Sequence, residues 1–328
     1  MVIRHEHNIL LRKMASTEII PGIHSIRGKF ADEFGFISSY IIVDNEEVLV
    51  IDPGTAGDPG EQIEKRIKLL GLNPKSDLIG ILCTHGHPDH VGGVGRLKKI
   101  TGAPVMIHEG DAELLQDPSR FLTERLLMDR AARFAMKLDK GPLRVNYRGL
   151  EPDQIISNGQ KISVGELTLE VKHTGGHSRG HCVFYEPSQK ILFSGDEVNN
   201  FPNDPRKFYV DLSGSIVARL GAIDKLASLA PDYLLPAHDI PSLFGDVHLQ
   251  FQDARDGVVH FQDTILSHLS ARGEADLDQL EFDIRQSRSV PIPESLDALL
   301  TTTIQVVIVG LAEAGLVKDL GNGIWTKK

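Results

Sequence analysis

Residues 84–93 read THGHPDHVGG, which sets His85, His87, Asp89 and His90 within six positions of one another. Neutral imidazole and carboxylate together suit zinc, iron or manganese. The run immediately before, LIGILC over 78–83, is apolar and rich in β-branched residues, the pattern of a buried strand. The histidines therefore begin where a strand ends. Loops at strand ends on a rigid sheet are where binding groups sit, so the spacing predicts a metal site and not a polar loop that gathered histidines by chance.

The elements that must position this loop are legible on either side of it. FISSYIIV at 36–43 and EVLVI at 47–51 predict a hairpin, the second strand running into Asp52, Pro53 and Gly54. Ile63, Ile67, Leu69 and Leu70 recur at helical spacing ahead of Gly71. After the histidine loop a short helix is expected over 94–100, then a strand in APVMIH ending at His108. Residues 118–139 place Phe121, Leu122, Leu126, Ala131, Phe134, Ala135 and Leu138 on one helical face. This amphipathic insertion, bounded at 112–148, is expected to pack on the core, cap the metal loop or form a dimer contact.

The second half repeats the plan, with strands expected at 167–172, 181–185 and 190–194 and a helix over 214–229. A polar group stands at the end of several of these strands: LTLEVK runs into HTGGHSRGH, KILFS into Gly195 and Asp196, and YLLPAHD carries His238. Sequence periodicity does not say whether those loops are neighbours.

The ordered set HxHxDH, GGHS, SGDE and PAHD resembles the metallo-β-lactamase fold hydrolases, over residues 18–245. The resemblance implies an α/β fold, a four-layer αββα sandwich with a two-metal site at one edge. On it, His85, His87 and His177 would hold the first cation, Asp89, His90 and His238 the second, and Asp196 would bridge them. Two divalent ions about 3.5 to 4 Å apart trap a hydroxide and lower the pKa of bound water from 15.7 towards about 7. Asp89 would steer that nucleophile and ferry its proton, and Asp52 would support the histidine loop. Zinc is the first expectation, with iron or manganese at home among the same donors. Gly92 and Gly93 would let the next helix start close to the sheet, while His108, His173 and His181 are read as supporting or structural. Two subgroup signals are weak: RKFY at 206–209 resembles the glutathione-gripping Lys and Tyr of glyoxalase II at a different offset. Asn199 stands where acyl homoserine lactone lactonases, which share a closing pair like His238 and Asp239, carry Tyr.

From residue 248 onward the pattern changes. Val258, Val259, Phe261, Ile265, Leu266 and Leu269 predict one helix, 277–284 a second and 295–314 a third, followed by two short strands around Gly-Asn-Gly. Three helices and a hairpin suggest a winged-helix-like unit over 248–328, similar to the appendage of the mitochondrial β-lactamase-like endoribonuclease. A nuclease acting on phosphodiesters is therefore the competing class. Charge opposes it: residues 249–328 carry seven Lys and Arg against twelve Asp and Glu, whereas nucleic-acid readers are normally basic. A packing or dimerisation module is the expectation.

The whole chain of 328 residues has 35 Lys and Arg against 45 Asp and Glu, a formal net charge of -10 that opposes non-specific attraction to nucleic acid or anionic membrane. Cys83 and Cys182 lie in apolar runs and read as buried small hydrophobes, without a disulfide framework. The longest apolar run, IQVVIVGLA at 304–312, is far below the roughly 20 residues of a membrane span. Residues 1–17 hold His5 and His7 in a charged leader expected to be flexible, with Met14 an alternative start, and lack the marks of a secretory signal. The expectation is a cytoplasmic binuclear hydrolase of a small carboxylic ester, thioester or lactone.

Overall fold

The computed structural model describes residues 18–29, 36–56, 60–125, 144–145, 147–198, 216–238, 247–290 and 299–328. A seven-stranded sheet runs in chain order through β1 (Glu18–Ile20), β2 (Ile23–Lys29), β3 (Phe36–Asp44), β4 (Glu47–Ile51), β5 (Leu78–Leu82), β6 (Val105–His108) and β7 (Gln154–Ile156). The first four strands pair antiparallel and the rest parallel. Parallel neighbours need crossovers. These are α1 (Gly60–Leu69) ahead of β5, and α2 (Pro88–Val91) with α3 (Val94–Thr101) ahead of β6, while α4 (Glu109–Gln116) follows β6. The second sheet holds β8 (Lys161–Val164), β9 (Leu167–His173), β10 (Cys182–Glu186), β11 (Ile191–Gly195) and β12 (Tyr233–Pro236), with β12 joined parallel to β11 through α5 (Ile216–Ser228).

Period-two alternation decides what each face buries. Leu49 and Ile51 of β4 meet Cys182 and Phe184 of β10 in the core between the sheets. The alternate residues Val48 and Val50 face α1 and α3, against Ile63, Ile67, Val94 and Leu97. Val183 and Tyr185 face outward from β10 to Ile216, Ile223 and Leu226 of α5. The result is helix, sheet, sheet, helix: the αββα sandwich. A one-residue slip of either strand would exchange its two cores, which fixes the register of the strands that end at the histidine loops.

The C-terminal elements are α6 (Val247–Arg272), β13 (Glu274–Ala275), α7 (Leu277–Ser287), α8 (Leu299–Glu313), β14 (Val317–Gly321) and β15 (Ile324–Lys327), the three strands ordered β13, β15, β14. Asp276 caps α7 by accepting from the Gln279 amide at 2.8 Å, and Gln279 accepts from the Asp276 amide at 3.0 Å. β13 was not expected from sequence, because two residues carry no periodicity. Val258, Phe261, Ile265, Ile304, Val307 and Ile308 share one apolar cluster with α5 and the outer face of the second sheet. Close approach is enforced at Gly310, where a Cβ would stand 2.2 Å from a methyl of Ile216. Val309 points away and is exposed.

Several sequence expectations fall outside the described residues: the leader 1–17, the stretch 126–143 of the amphipathic insertion, Asn199, the run 206–209 and Asp239. Residues 112–116, at the start of the expected insertion, belong to α4, which begins at Glu109 because the His108 ring accepts from the Gly110 amide at 3.1 Å. Phe121–Arg125 form a π-helical turn with Phe121 fully buried. Among the described residues no helix is long and apolar enough to cross a membrane.

Candidate metal centre

Four strand ends converge on one edge of the sandwich. His85 and His87 follow β5; Asp89 and His90 lie in α2, which Pro88 starts at its first position. His177 lies in the loop after β9, Asp196 follows Gly195 at the end of β11, and His238 follows β12. The two sheets are stitched together here. The Cys182 amide donates to the Thr84 carbonyl at 2.8 Å and the Ser38 amide to the Ala237 carbonyl at 2.7 Å.

The side chains form two groups, His85 with His87 and His177, and Asp89 with His90, Asp196 and His238, each with its donor atoms within 4.8 Å of one another and every residue buried. Asp196 stands between them. Its Oδ2 lies 3.4 Å from His177 Nε2 in the first group and 3.3 Å from His238 Nε2 in the second, and its Oδ1 lies 3.4 Å from His90 Nε2. Asp89 Oδ2 completes the second group at 3.3 Å from His238 Nε2 and 3.5 Å from His90 Nε2. Donors about 2.0 to 2.1 Å from a tetrahedral zinc stand about 3.3 Å apart, so these separations fit a cation that the two groups could hold. The buried His85 Nε2 makes no hydrogen bond, an arrangement that costs free energy unless something else takes its lone pair.

Hydrogen bonds behind the rings set which nitrogen faces the centre. Asp52, buried and at φ 49°, accepts from the Thr84 amide at 2.8 Å, from Thr84 Oγ1 at 2.6 Å and from His90 Nδ1 at 2.9 Å. The Thr84 hydroxyl donates its hydrogen bond to Asp52, so His85 Nδ1, 3.0 Å from it, is the donor to that oxygen. Both rings thus carry their proton on Nδ1 and turn Nε2 inward, the usual way a supporting carboxylate orients a ligand. Close packing fixes the loop as well: Cβ atoms at Gly92 and Gly93 would stand 2.4 Å from the Ala56 amide nitrogen and 2.6 Å from the Pro53 carbonyl.

Charge divides the groups. Burial holds the His85 and His177 imidazoles well below their ordinary pKa. Burial also opposes charge on His90 and His238, but the carboxylates outweigh it. Asp196, Asp89 and Asp52 hold His90 well above its usual value, and His238 is pushed up to about 10, mainly by Asp196. The reciprocal effect keeps Asp196 well below the carboxylate range, against burial, through His238 and His90.

Two important side chains were missed in the sequence. Asp111, in the first turn of α4 and fully buried, accepts from the Gly86 amide at 3.0 Å and the Gly180 amide at 3.0 Å, and from the Ser178 hydroxyl, so one carboxylate ties the His85 and His177 loops together. Arg219, on the buried face of α5, lies 3.3 Å from His177 Nδ1 and donates to the Asp196 carbonyl at 2.9 Å. Its signal was present: it shares the helical face of Ile216, Ile223 and Leu226, where a charge is out of place. Asp111 had no comparable signal. Of the other histidines, His181 Nε2 accepts from the Asp196 amide at 3.1 Å, while His173 donates to the Arg179 carbonyl at 2.8 Å and stacks on His108 with centroids 3.9 Å apart. Cys83 and Cys182 are free and buried, with their thiol pKa values raised by burial.

Comparison with known proteins agrees with this edge. Residues 32–238 match the model of the metallo-β-lactamase superfamily. The chain is 32% identical over 159 residues to the hydroxyacylglutathione hydrolase GloC of Haemophilus influenzae, covering 48% of this chain and 64% of that one. It is 27% identical over 160 residues to the probable metallo-hydrolase YqgX of Bacillus subtilis, covering 48% and 64%. The alignments with the first such relatives span 59% to 64% of those proteins' lengths. A crystal structure of a metallo-β-lactamase family protein from Thermus thermophilus superposes with TM-score 0.70 at 20% identity, covering 95% of this chain and all of that one, a likeness of fold that includes the C-terminal elements. With the family model spanning more than half of the chain and every strand-end motif inside it, the chain belongs to the metallo-β-lactamase superfamily.

Proposed function

We propose that the chain is a dinuclear metal hydrolase that cleaves the acyl bond of a small ester, thioester or lactone. The observation that carries this reading is Asp196, one carboxylate shared by two groups of otherwise separate donors. His85, His87 and His177 would hold one divalent cation, Asp89, His90 and His238 the other, and Asp196 both. When bound, such a pair supplies acidification of water towards neutrality and a positive pole for a carbonyl oxygen. The protein does the rest. Asp52 and Thr84 orient His85 and His90, and burial keeps His85 and His177 neutral, with lone pairs available. Asp89, whose carboxylate borders both His90 and His238, receives the proton that the attacking water gives up and returns it to the leaving group. Imidazole and carboxylate donors are compatible with zinc, our first choice, and equally with iron or manganese.

The thioester branch draws support from relatives named hydroxyacylglutathione hydrolase. We read residues 18–247 as the catalytic domain and 248–328 as an appended winged-helix-like unit, since its helices and three-stranded sheet follow that order. The same unit is what would favour the alternative, an endoribonuclease; its acidic composition and its packing against α5 favour the packing role. A panel of S-acyl glutathione, S-acyl coenzyme A, a lactone, a phosphodiester and single-stranded RNA, run on metal-quantified protein, separates these. Turnover of an acyl substrate, lost with chelator, is the expected result. Metal-dependent RNA cleavage with no acyl turnover would replace the reading.

A further inference from the structure

β11 ends at Gly195, so the main chain of the buried Asp196 lies just beyond the strand and its polar groups need partners elsewhere. Its carbonyl is taken by Arg219 at 2.9 Å, and its amide donates to His181 Nε2 at 3.1 Å. A main-chain N–H is only a donor, so Nε2 carries the lone pair and the His181 proton sits on Nδ1. That nitrogen lies 2.9 Å from Thr174 Oγ1 and 3.4 Å from Glu197 Oε2. The Thr174 hydroxyl donates to the His181 carbonyl at 3.0 Å, which leaves its oxygen to accept from Nδ1. The ring is therefore neutral, fully buried and partnered at both nitrogens. Its centroid is 5.1 Å from that of His85, yet its lone pair belongs to an amide, so it stands behind the donor groups and not among them.

One loop delivers this ring and a candidate ligand together. The His181 carbonyl accepts from the Thr174 and Gly175 amides at 2.9 and 3.2 Å, and the His181 amide donates to the Ser178 carbonyl at 3.1 Å, closing residues 174–181 on themselves around His177. The turn above the ring is shaped to meet it. At Gly195, φ 50°, a Cβ would stand 2.7 Å from His181 Nε2 and 3.0 Å from Thr84 Oγ1. A phenyl ring would fill the space of the imidazole but leave the Asp196 amide buried without an acceptor, so packing does not explain a histidine here.

Resting on the dinuclear reading above, we propose that His181 is a positioning residue for the shared carboxylate. Through Nε2 it holds the main chain at Asp196, and so sets where that carboxylate stands relative to both donor groups. A neutral imidazole supplies this acceptor without adding charge beside the cations.

Full-length wild type and the variants H181F, H181L and H181Q are to be titrated with zinc against a chromophoric chelator and with cobalt, reading the visible ligand-field bands. Loss of a partner behind a ligand costs about 10- to 100-fold in metal affinity. H181F and H181L remove the acceptor and are expected to lose that much in both binding steps, because the carboxylate is shared, and to shift the cobalt bands at saturation. H181Q places an amide oxygen near the position of Nε2 and should recover most of the affinity. A side chain that only supports the fold would lower the melting temperature and leave affinities and bands unchanged. Folded H181F or H181L within twofold of wild type, with superposable cobalt spectra, overturns the proposal. So does weakening of one step alone, or H181Q binding no better than H181F. Failure of all three to fold assigns the histidine to the fold and overturns it as well. Wild type taking up fewer than two cations would sink the dinuclear reading instead, while the ratio of variant to wild-type affinity at the remaining site would still decide the role of His181.

Discussion

The two donor groups lie side by side and solve different electrostatic problems. The first, His85 with His87 and His177, has no carboxylate of its own, and burial keeps His85 and His177 neutral. The second adds Asp89 and Asp196 to His90 and His238, and there the carboxylates raise both imidazoles above their ordinary pKa. A cation entering the first group meets lone pairs. One entering the second must displace protons. The pair therefore differs in pH dependence before it differs in geometry, and Asp196 is where the two behaviours are joined.

The largest expected effect removes that joint. On the dinuclear reading, Asp196→Asn removes a negative charge shared by both donor groups, and turnover should fall by roughly three orders of magnitude or more with loss of at least one bound cation. Elemental analysis and activity measured together check this; retained metal and activity would end the bridging assignment.

Next is the pH contrast. His238 is pushed up to about 10 and His90 is raised well above its ordinary value by the same carboxylates, so a cation at the second group competes with protons. Each displaced proton weakens apparent affinity by about tenfold per unit fall in pH. Uptake at the second group should release about two protons around pH 7, and uptake at the first close to none. Calorimetry in buffers of different ionisation enthalpy reads this directly. Equal release in both steps would erase the distinction between the groups. The same shift has a stability sign: the raised His238 pKa stabilises the metal-free fold fully below 6.5 and loses that contribution as pH rises through about 10.

Asp52→Asn tests whether the second group depends on its supporting carboxylate. His90 loses a charged acceptor at 2.9 Å, and affinity at that group should fall by about 10- to 100-fold while the first group, reached only through Thr84, changes less. Stepwise zinc affinities decide it. The smallest effects should come from glycines flanking each group. Gly92→Ala forces a Cβ to 2.4 Å from a backbone nitrogen beside the second group, and Gly176→Ala meets the buried Glu197 carboxylate at 2.2 Å and the Arg219 Cα at 2.7 Å beside the first. Each should cost about 1–3 kcal/mol of stability, because backbone cannot turn aside at either site. Thermal unfolding with site-resolved metal titration should show each weakening its own group.

The histidine loop was legible because its four donors are local: a strand ends, and HxHxDH follows within one turn of chain. The same holds for the hairpin at 36–51, where alternation separates Leu49 and Ile51 from Val48 and Val50. Short elements escaped. β7, β8 and β13 are two to four residues long and carry too few positions for a period to be read. α4 escaped because its start depends on a cap from the His108 ring, a contact no period encodes.

Sequence alone determined the donor types, the strand that aims them and, through resemblance, the order of the motifs. Only the tertiary structure decided that loops separated by up to 153 positions, from His85 to His238, share one buried edge. Periodicity says which face of a strand is inward; it does not say which strand ends become neighbours. That follows from two sheets packing through Leu49, Ile51, Cys182 and Phe184, with the Cys182 amide and the Thr84 carbonyl closing the seam. Asp111 and Arg219 belong wholly to this second level. Each acts by bonding groups on separate loops, and until the sheets meet those groups have no common place.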